Sequence, residues 1–118
     1  MNAVSAVGPA RGVAILGATG SIGASTLAVT ALHPQAYRVV ALTAARDVDA
    51  MRTLCLRHRP EVAAMADPQA ARALESALDG SGITVLGGPA GLTAAAAWPG
   101  ADVVVAAIVG AAGPAPTL

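Results

Sequence analysis

Gly12-Val13-Ala14-Ile15-Leu16-Gly17-Ala18-Thr19-Gly20-Ser21-Ile22-Gly23 (GVAILGATGSIG) is the stretch that decides the fold. Its first part, Gly12–Leu16, is continuously apolar, as a strand buried on both faces must be. It runs without a spacer into G-x-x-G-x-x-G, and the Ala-rich stretch Ser21–Leu32 behind it has helical character. In such a turn each glycine has its own task. Gly17 lets the chain turn tightly at the strand end, Gly20 presents no side chain, so that a pyrophosphate can approach the backbone, and Gly23 lets the helix pack against the strand. Amides at a helix start, with the helix dipole behind them, favour an anion; Thr19 and Ser21 add hydroxyl donors. A glycine turn that serves tight packing alone is the competing reading. Its place after a first strand and before a helix favours the binding one.

Outward from this stretch the same alternation continues. Further β-branched segments are Tyr37–Thr43, Glu61–Met65, Gly82–Leu86 and Asp102–Ala107, and Asp47–His58, Pro68–Leu78 and Pro89–Ala97 read as helices between them. The punctuation agrees. His33-Pro34 stops the first helix. Asp47 can cap the second, Arg57 and His58 suit its C-terminal end, and Pro60 lies beyond it. Asp67-Pro68 is a cap followed by Pro at the first helical position. Strict alternation predicts an α/β fold, a Rossmann-like doubly wound parallel sheet with five strands and helices on both faces. Residues 1–11 read as a flexible N-terminal extension and residues 12–118 as one nucleotide-binding domain, with no linker within residues 12–113.

Composition narrows the function. The 118 residues carry seven Arg and seven acidic residues with no Lys, for a formal net charge of zero, and only 2% are aromatic. Scattered arginines in a neutral chain argue against nucleic acid, and two aromatics build no base-stacking platform. Without Lys there is no lysine-type phosphate loop, Schiff base or Tyr–Lys pair. One cysteine, Cys55, allows no internal disulfide. The apolar run Val103–Gly113 is too short to span a bilayer, and Met1–Ala10 lacks the basic start of a signal peptide. Ala makes up about a quarter of the chain, which suits close helix–sheet packing and equally a compositional bias of the genome.

Beyond the second strand lie Ala45, Arg46 and Asp47. An acidic residue near this place binds the ribose 2′-hydroxyl of NAD, whereas an Arg accepts a 2′-phosphate. Arg46 therefore points to NADP. An ordinary solvated charge is the bland reading of Arg46, and helix capping that of Asp47. The small-residue stretch Ala106–Gly113 would lie at the carboxyl end of the fifth strand, beside the nicotinamide half. His58 and Cys55 share a helix but make a poor metal site. Cys55 reads as a small buried residue and Trp98 as a packing anchor. The carboxylates form no acid/base pair.

Ile15–Gly23 followed by Ser25-Thr26-Leu27, His33-Pro34 ahead of Tyr37–Leu42, and Ala106–Gly113 with Pro116-Thr117-Leu118 together resemble the opening of 1-deoxy-D-xylulose 5-phosphate reductoisomerases, in order and spacing, over about residues 12 to 118. The resemblance implies an NADP-dependent oxidoreductase of non-mevalonate isoprenoid biosynthesis. Such an enzyme rearranges 1-deoxy-D-xylulose 5-phosphate and reduces the aldehyde intermediate with NADPH to 2-C-methyl-D-erythritol 4-phosphate. A divalent metal (Mg or Mn) chelates the phosphosugar oxygens. By position, the cofactor contacts become Thr19, Gly20, Ser21 and Ile22 at the phosphate turn and Ala45, Arg46 and Asp47 after the second strand.

The family commonly has Gly-Lys-Asn at the second place. Here Arg46 keeps the cation, Ala45 adds a methyl, and Asp47 adds a negative charge that works against a 2′-phosphate. The family's Asn-Lys-Glu motif and its metal-binding acidic residues lie further on. The segment is thus expected to hold no catalytic and no metal-ligating residue, and to bind NADPH at most. The resemblance further implies a cytoplasmic homodimer acting on a small phosphosugar, without membrane or nucleic-acid partner. The alternatives are the NADP domain of another reductase, such as a semialdehyde dehydrogenase, and a non-catalytic nucleotide-binding or inert product.

Overall fold

The computed structural model describes residues 10–106. Strand and helix alternate throughout: β1 (Arg11–Leu16), α1 (Ser21–Leu32), β2 (Tyr37–Ala44), α2 (Val48–His58), β3 (Val62–Met65), α3 (Pro68–Ala77), β4 (Thr84–Gly87), α4 (Gly88–Ala96) and β5 (Val103–Ala106). All pairings are parallel, and the sheet order is β4-β3-β2-β1-β5. This is the Rossmann-like doubly wound sheet that the alternation predicts.

From β1 to β4 each crossover steps outward in one direction. α4 then carries the chain back across the sheet to the far side of β1. A right-handed crossover places its helix on opposite faces for the two directions of travel. Accordingly α1, α2 and α3 share one face, where Leu27, Met51, Cys55 and Leu74 pack with Val13, Ile15, Leu42 and Met65. α4 takes the other face, where Ala95, Leu92 and Trp98 lie over Ala14, Ala41, Val62 and Ala64. Successive strand residues divide between these two layers, as the twofold period of a strand requires. The sheet face under α4 is largely alanine, which lets that helix sit close: a Cβ at Gly91 would stand 2.9 Å from Leu86 Cβ.

Several boundaries differ from the sequence reading, each for a local reason. Arg11, assigned to the extension, belongs to β1: its N–H donates to Ala36 O at 2.9 Å and it pairs with Tyr37. Gly82 stays out of β4 because it turns at φ +84°, and the next residue's N–H donates to Ser81 Oγ. Asp102 stands outside β5 and ties the start of β1 instead, accepting from Gly12 N–H through Oδ2 at 2.9 Å. The β1–β2 register skips Val40 between the pairs Val13↔Val39 and Ala14↔Ala41, a bulge rarely seen in parallel pairing. Residues 1–9 of the extension, and the stretch from Ala107 onward, lie outside the described residues.

Coverage of the sheet is uneven. β3 is buried along its whole length, whereas β5 alternates between half-buried and exposed, and Val104 is 48% exposed. Beside β5, Val13, Thr26, Val29, Val103 and Val105 line an apolar groove of about 230 Å³. No described helix is long and apolar enough to cross a membrane.

Candidate functional site

Strands are added outward from β1 in one direction up to β4 and on its other side with β5, so the carboxyl ends of β1 and β5 mark the topological switch, where open α/β sheets place their ligands. The glycine turn leaves β1 at this point. Gly17 has φ +80°, a conformation that favours glycine. Its N–H and that of Ala18 both donate to Thr43 O, at 3.0 and 2.8 Å, and the Gly17 N–H also reaches Thr43 Oγ1 at 3.2 Å. Gly20 N–H donates to Gly17 O at 3.2 Å, and Ala24 N–H makes the first helical bond, to Gly20 O, at 2.9 Å. The N–H groups of Ser21, Ile22 and Gly23 precede that bond and have no partner within the helix. No side chain caps them.

The glycines of this turn are required for different reasons. A Cβ at Gly23 would stand 2.6 Å from the carbonyl oxygens of both Gly17 and Ala18, so the start of α1 cannot close on the turn with any larger residue. A Cβ at Gly20 would meet only Gly17 O, at an ordinary 3.7 Å. Gly20 also has φ −85° and ψ 177°, extended backbone open to any residue. The packing of the described residues therefore does not demand glycine at position 20. Among the described residues, the space a Cβ would occupy there, on the residue that precedes α1, holds no atom closer than Gly17 O. The predicted residues Thr19, Gly20, Ser21 and Ile22 gather around that space, Thr19 half-buried and the other three exposed.

β2 ends beside β1 on the same edge, and Ala45, Arg46 and Asp47 form the exposed bend that follows. Of the two roles open to Asp47, capping is present: Oδ1 accepts from Ala50 N–H at 3.1 Å. Arg46 enters no ion pair among the described residues, where Arg38–Glu61 at 3.2 Å is the single salt bridge. The turn and the bend are joined through Thr43, which the sequence reading treats only as a strand end. A hydroxyl in the buried, otherwise apolar stretch Val40–Ala44 was the available signal.

The remaining candidates are structural. Cys55 is buried, and burial pushes its thiol up to about 11, which keeps it protonated and unreactive near neutrality. His58 is lowered by burial and, secondly, by the charge of Arg57. Trp98 packs under α4 and donates Nε1–H to Glu61 Oε1 at 3.1 Å. Among the described residues no three His, Cys, Asp or Glu side chains gather closely enough to hold a metal.

Comparison with known proteins agrees with this architecture. The family model described as 1-deoxy-D-xylulose 5-phosphate reductoisomerase matches residues 13–118. The enzyme of that name from Acidithiobacillus ferrooxidans is 52% identical over 111 residues, which are 92% of this chain and 28% of the relative. A reductoisomerase from Zymomonas mobilis, solved in complex with NADPH, superposes with a TM-score of 0.78 at 41% identity over 84% of this chain and 26% of that one. Another reductoisomerase structure, in complex with magnesium, gives 0.79 at 42% identity over 88% and 26%. The chain thus spans little more than a quarter of the length of the relatives it matches. With the glycine turn, the doubly wound sheet and the family match in agreement, this chain belongs to the 1-deoxy-D-xylulose 5-phosphate reductoisomerase family.

Proposed function

We propose that residues 12–118 are the NADPH-binding domain of an enzyme that converts 1-deoxy-D-xylulose 5-phosphate to 2-C-methyl-D-erythritol 4-phosphate. The observation that carries this reading is the open space at Gly20. A glycine stands where the packing of the described residues does not require one, directly before helix amides without a side-chain cap, and this is the arrangement a pyrophosphate needs. The N–H groups of Ser21 and Ile22, with the hydroxyls of Thr19 and Ser21, hold the pyrophosphate. The bend Ala45-Arg46-Asp47 receives the adenosine side, and the Arg46 guanidinium faces the 2′-phosphate. The Asp47 carboxylate is drawn back onto the first turn of α2, which moderates its repulsion of that phosphate. NADPH, when bound, supplies the hydride that reduces the aldehyde intermediate.

The rest of the reaction belongs to the whole enzyme. Its phosphosugar substrate, its divalent metal (Mg or Mn) with acidic ligands outside this segment, its homodimeric assembly and its cytoplasmic location are parts of the same proposal. For the segment in hand the proposal is cofactor binding without turnover.

Calorimetric titration of the chain with NADPH and NADH tests the reading. We expect saturable NADPH binding at one site and weaker binding of NADH. Arg46→Glu is expected to cost about 1.5–3 kcal/mol of NADPH affinity, the scale of a lost charge-assisted contact, with little change for NADH. An equal loss for both would show that Arg46 does not read the 2′-phosphate. Failure of the wild-type chain to bind either cofactor overturns the proposal.

A further inference from the structure

We infer that Thr43 is a positioning residue that holds the phosphate-binding turn in its binding conformation through its side-chain hydroxyl. The inference rests on the NADPH reading above. Thr43 lies opposite Leu16, the last residue of β1, and is 4% exposed. Its strand neighbours Val40, Ala41, Leu42 and Ala44 are apolar and buried. A valine has nearly the same shape and an equal liking for a strand, so the fold does not ask for a hydroxyl here. Burying one is unfavourable unless it is hydrogen-bonded.

The bond it makes is to Gly17 N–H, at 3.2 Å, and that N–H is already satisfied by Thr43 O at 3.0 Å. The hydroxyl is therefore not needed to rescue an orphan donor. It adds a second acceptor on one N–H and so restricts the direction in which that N–H points. Gly17, at φ +80°, is the one residue of the turn in the left-handed region, which glycine alone reaches freely. A swing there would carry Ala18, Thr19 and Gly20 with it and move the N–H groups of α1 relative to Arg46. Restricting that swing before the ligand arrives lowers the ordering cost of binding. Because the pyrophosphate is common to both cofactors, the effect falls equally on NADPH and NADH.

The test uses Thr43→Val and Thr43→Ser in the 118-residue chain, with three measurements: the thermal midpoint, hydrogen exchange at the Gly17 amide, and titration with NADPH and NADH. Thr43→Val is expected to keep the thermal midpoint and to speed Gly17 exchange several-fold. It should weaken both cofactors by the same factor of about 3–10, the scale of one hydrogen bond. Thr43→Ser should restore both exchange and affinity. Unchanged affinity in Thr43→Val, a loss confined to NADPH, or a serine variant that restores nothing would overturn the inference. Affinity lost only in step with a lowered thermal midpoint would also overturn it, since that marks a structural role. If the wild-type chain binds neither cofactor the binding reading fails, and Gly17 exchange alone then decides whether the hydroxyl orders the turn.

Discussion

The four helices among the described residues begin at the carboxyl edge of this sheet, and they begin in two ways. α2 and α3 start at aspartates, with Asp47 Oδ1 accepting from Ala50 N–H at 3.1 Å and Asp67 Oδ1 from Gln69 N–H at 3.0 Å. α1 and α4 start at glycines and have no side-chain cap. An aspartate cap satisfies an orphan donor and sets a negative charge against the positive end of the helix dipole. A helix start closed in this way cannot also receive a phosphate. The two glycine starts differ from each other in turn. At α4 a Cβ on Gly87 would stand 2.7 Å from Ala71 Cβ, so packing alone explains that glycine, and Pro89 removes one of the first-turn N–H groups. Only at α1 is the glycine cap unexplained by the atoms of the described residues.

The comparison can be broken or sharpened by substitution. The largest effect is expected at Gly23, whose glycine is structural. Gly23→Ala forces a methyl against two backbone carbonyls and should destabilise the chain by roughly 3 kcal/mol or more, read as a lowered midpoint in urea unfolding. Next comes Gly20→Asp, which gives α1 the closure that α2 and α3 have. We expect the helix to gain a few tenths of a kcal/mol over a glycine cap, while NADPH affinity falls roughly 100-fold, about 2.7 kcal/mol. Retained binding in this variant would show that the α1 amides do not hold the cofactor. The smallest effect is expected at Asp67→Ala, which opens α3 and should cost about 1 kcal/mol of stability with cofactor affinity unchanged. A loss of NADPH binding there would dissolve the distinction between open and closed starts.

The fold was legible in the sequence because each element carries its own punctuation. Apolar strands without alternation announced a sheet covered on both faces, and Asp47, Asp67-Pro68, His33-Pro34 and the glycine turn marked where helices begin and end. The candidate site was legible at Gly17, Gly20 and Gly23 because spacing after a strand carries information about the turn. It was less legible wherever a residue's role depends on a distant partner. Asp102 read as part of a strand, but its carboxylate holds Gly12 N–H, 90 residues away in the chain. Thr43 read as a strand end, but it clamps a turn 26 residues earlier. The skip at Val40 has no local signature at all.

The same division separates what sequence and tertiary structure decided. Sequence by itself determined the order of strands and helices, the glycine turn and the cation at position 46, because propensity, capping and glycine conformation act within a few residues. Tertiary structure decided that β5 returns to the far side of β1, that α4 alone among the described helices covers the alanine face, and that the glycine turn is bonded to Thr43 near the end of β2. It also separated the glycine that packing demands from the one it does not. Gly20 and Gly23 are the same residue in the same motif, and only the atoms brought around them by the fold, among the described residues a carbonyl at 3.7 Å against two at 2.6 Å, show which one packing demands.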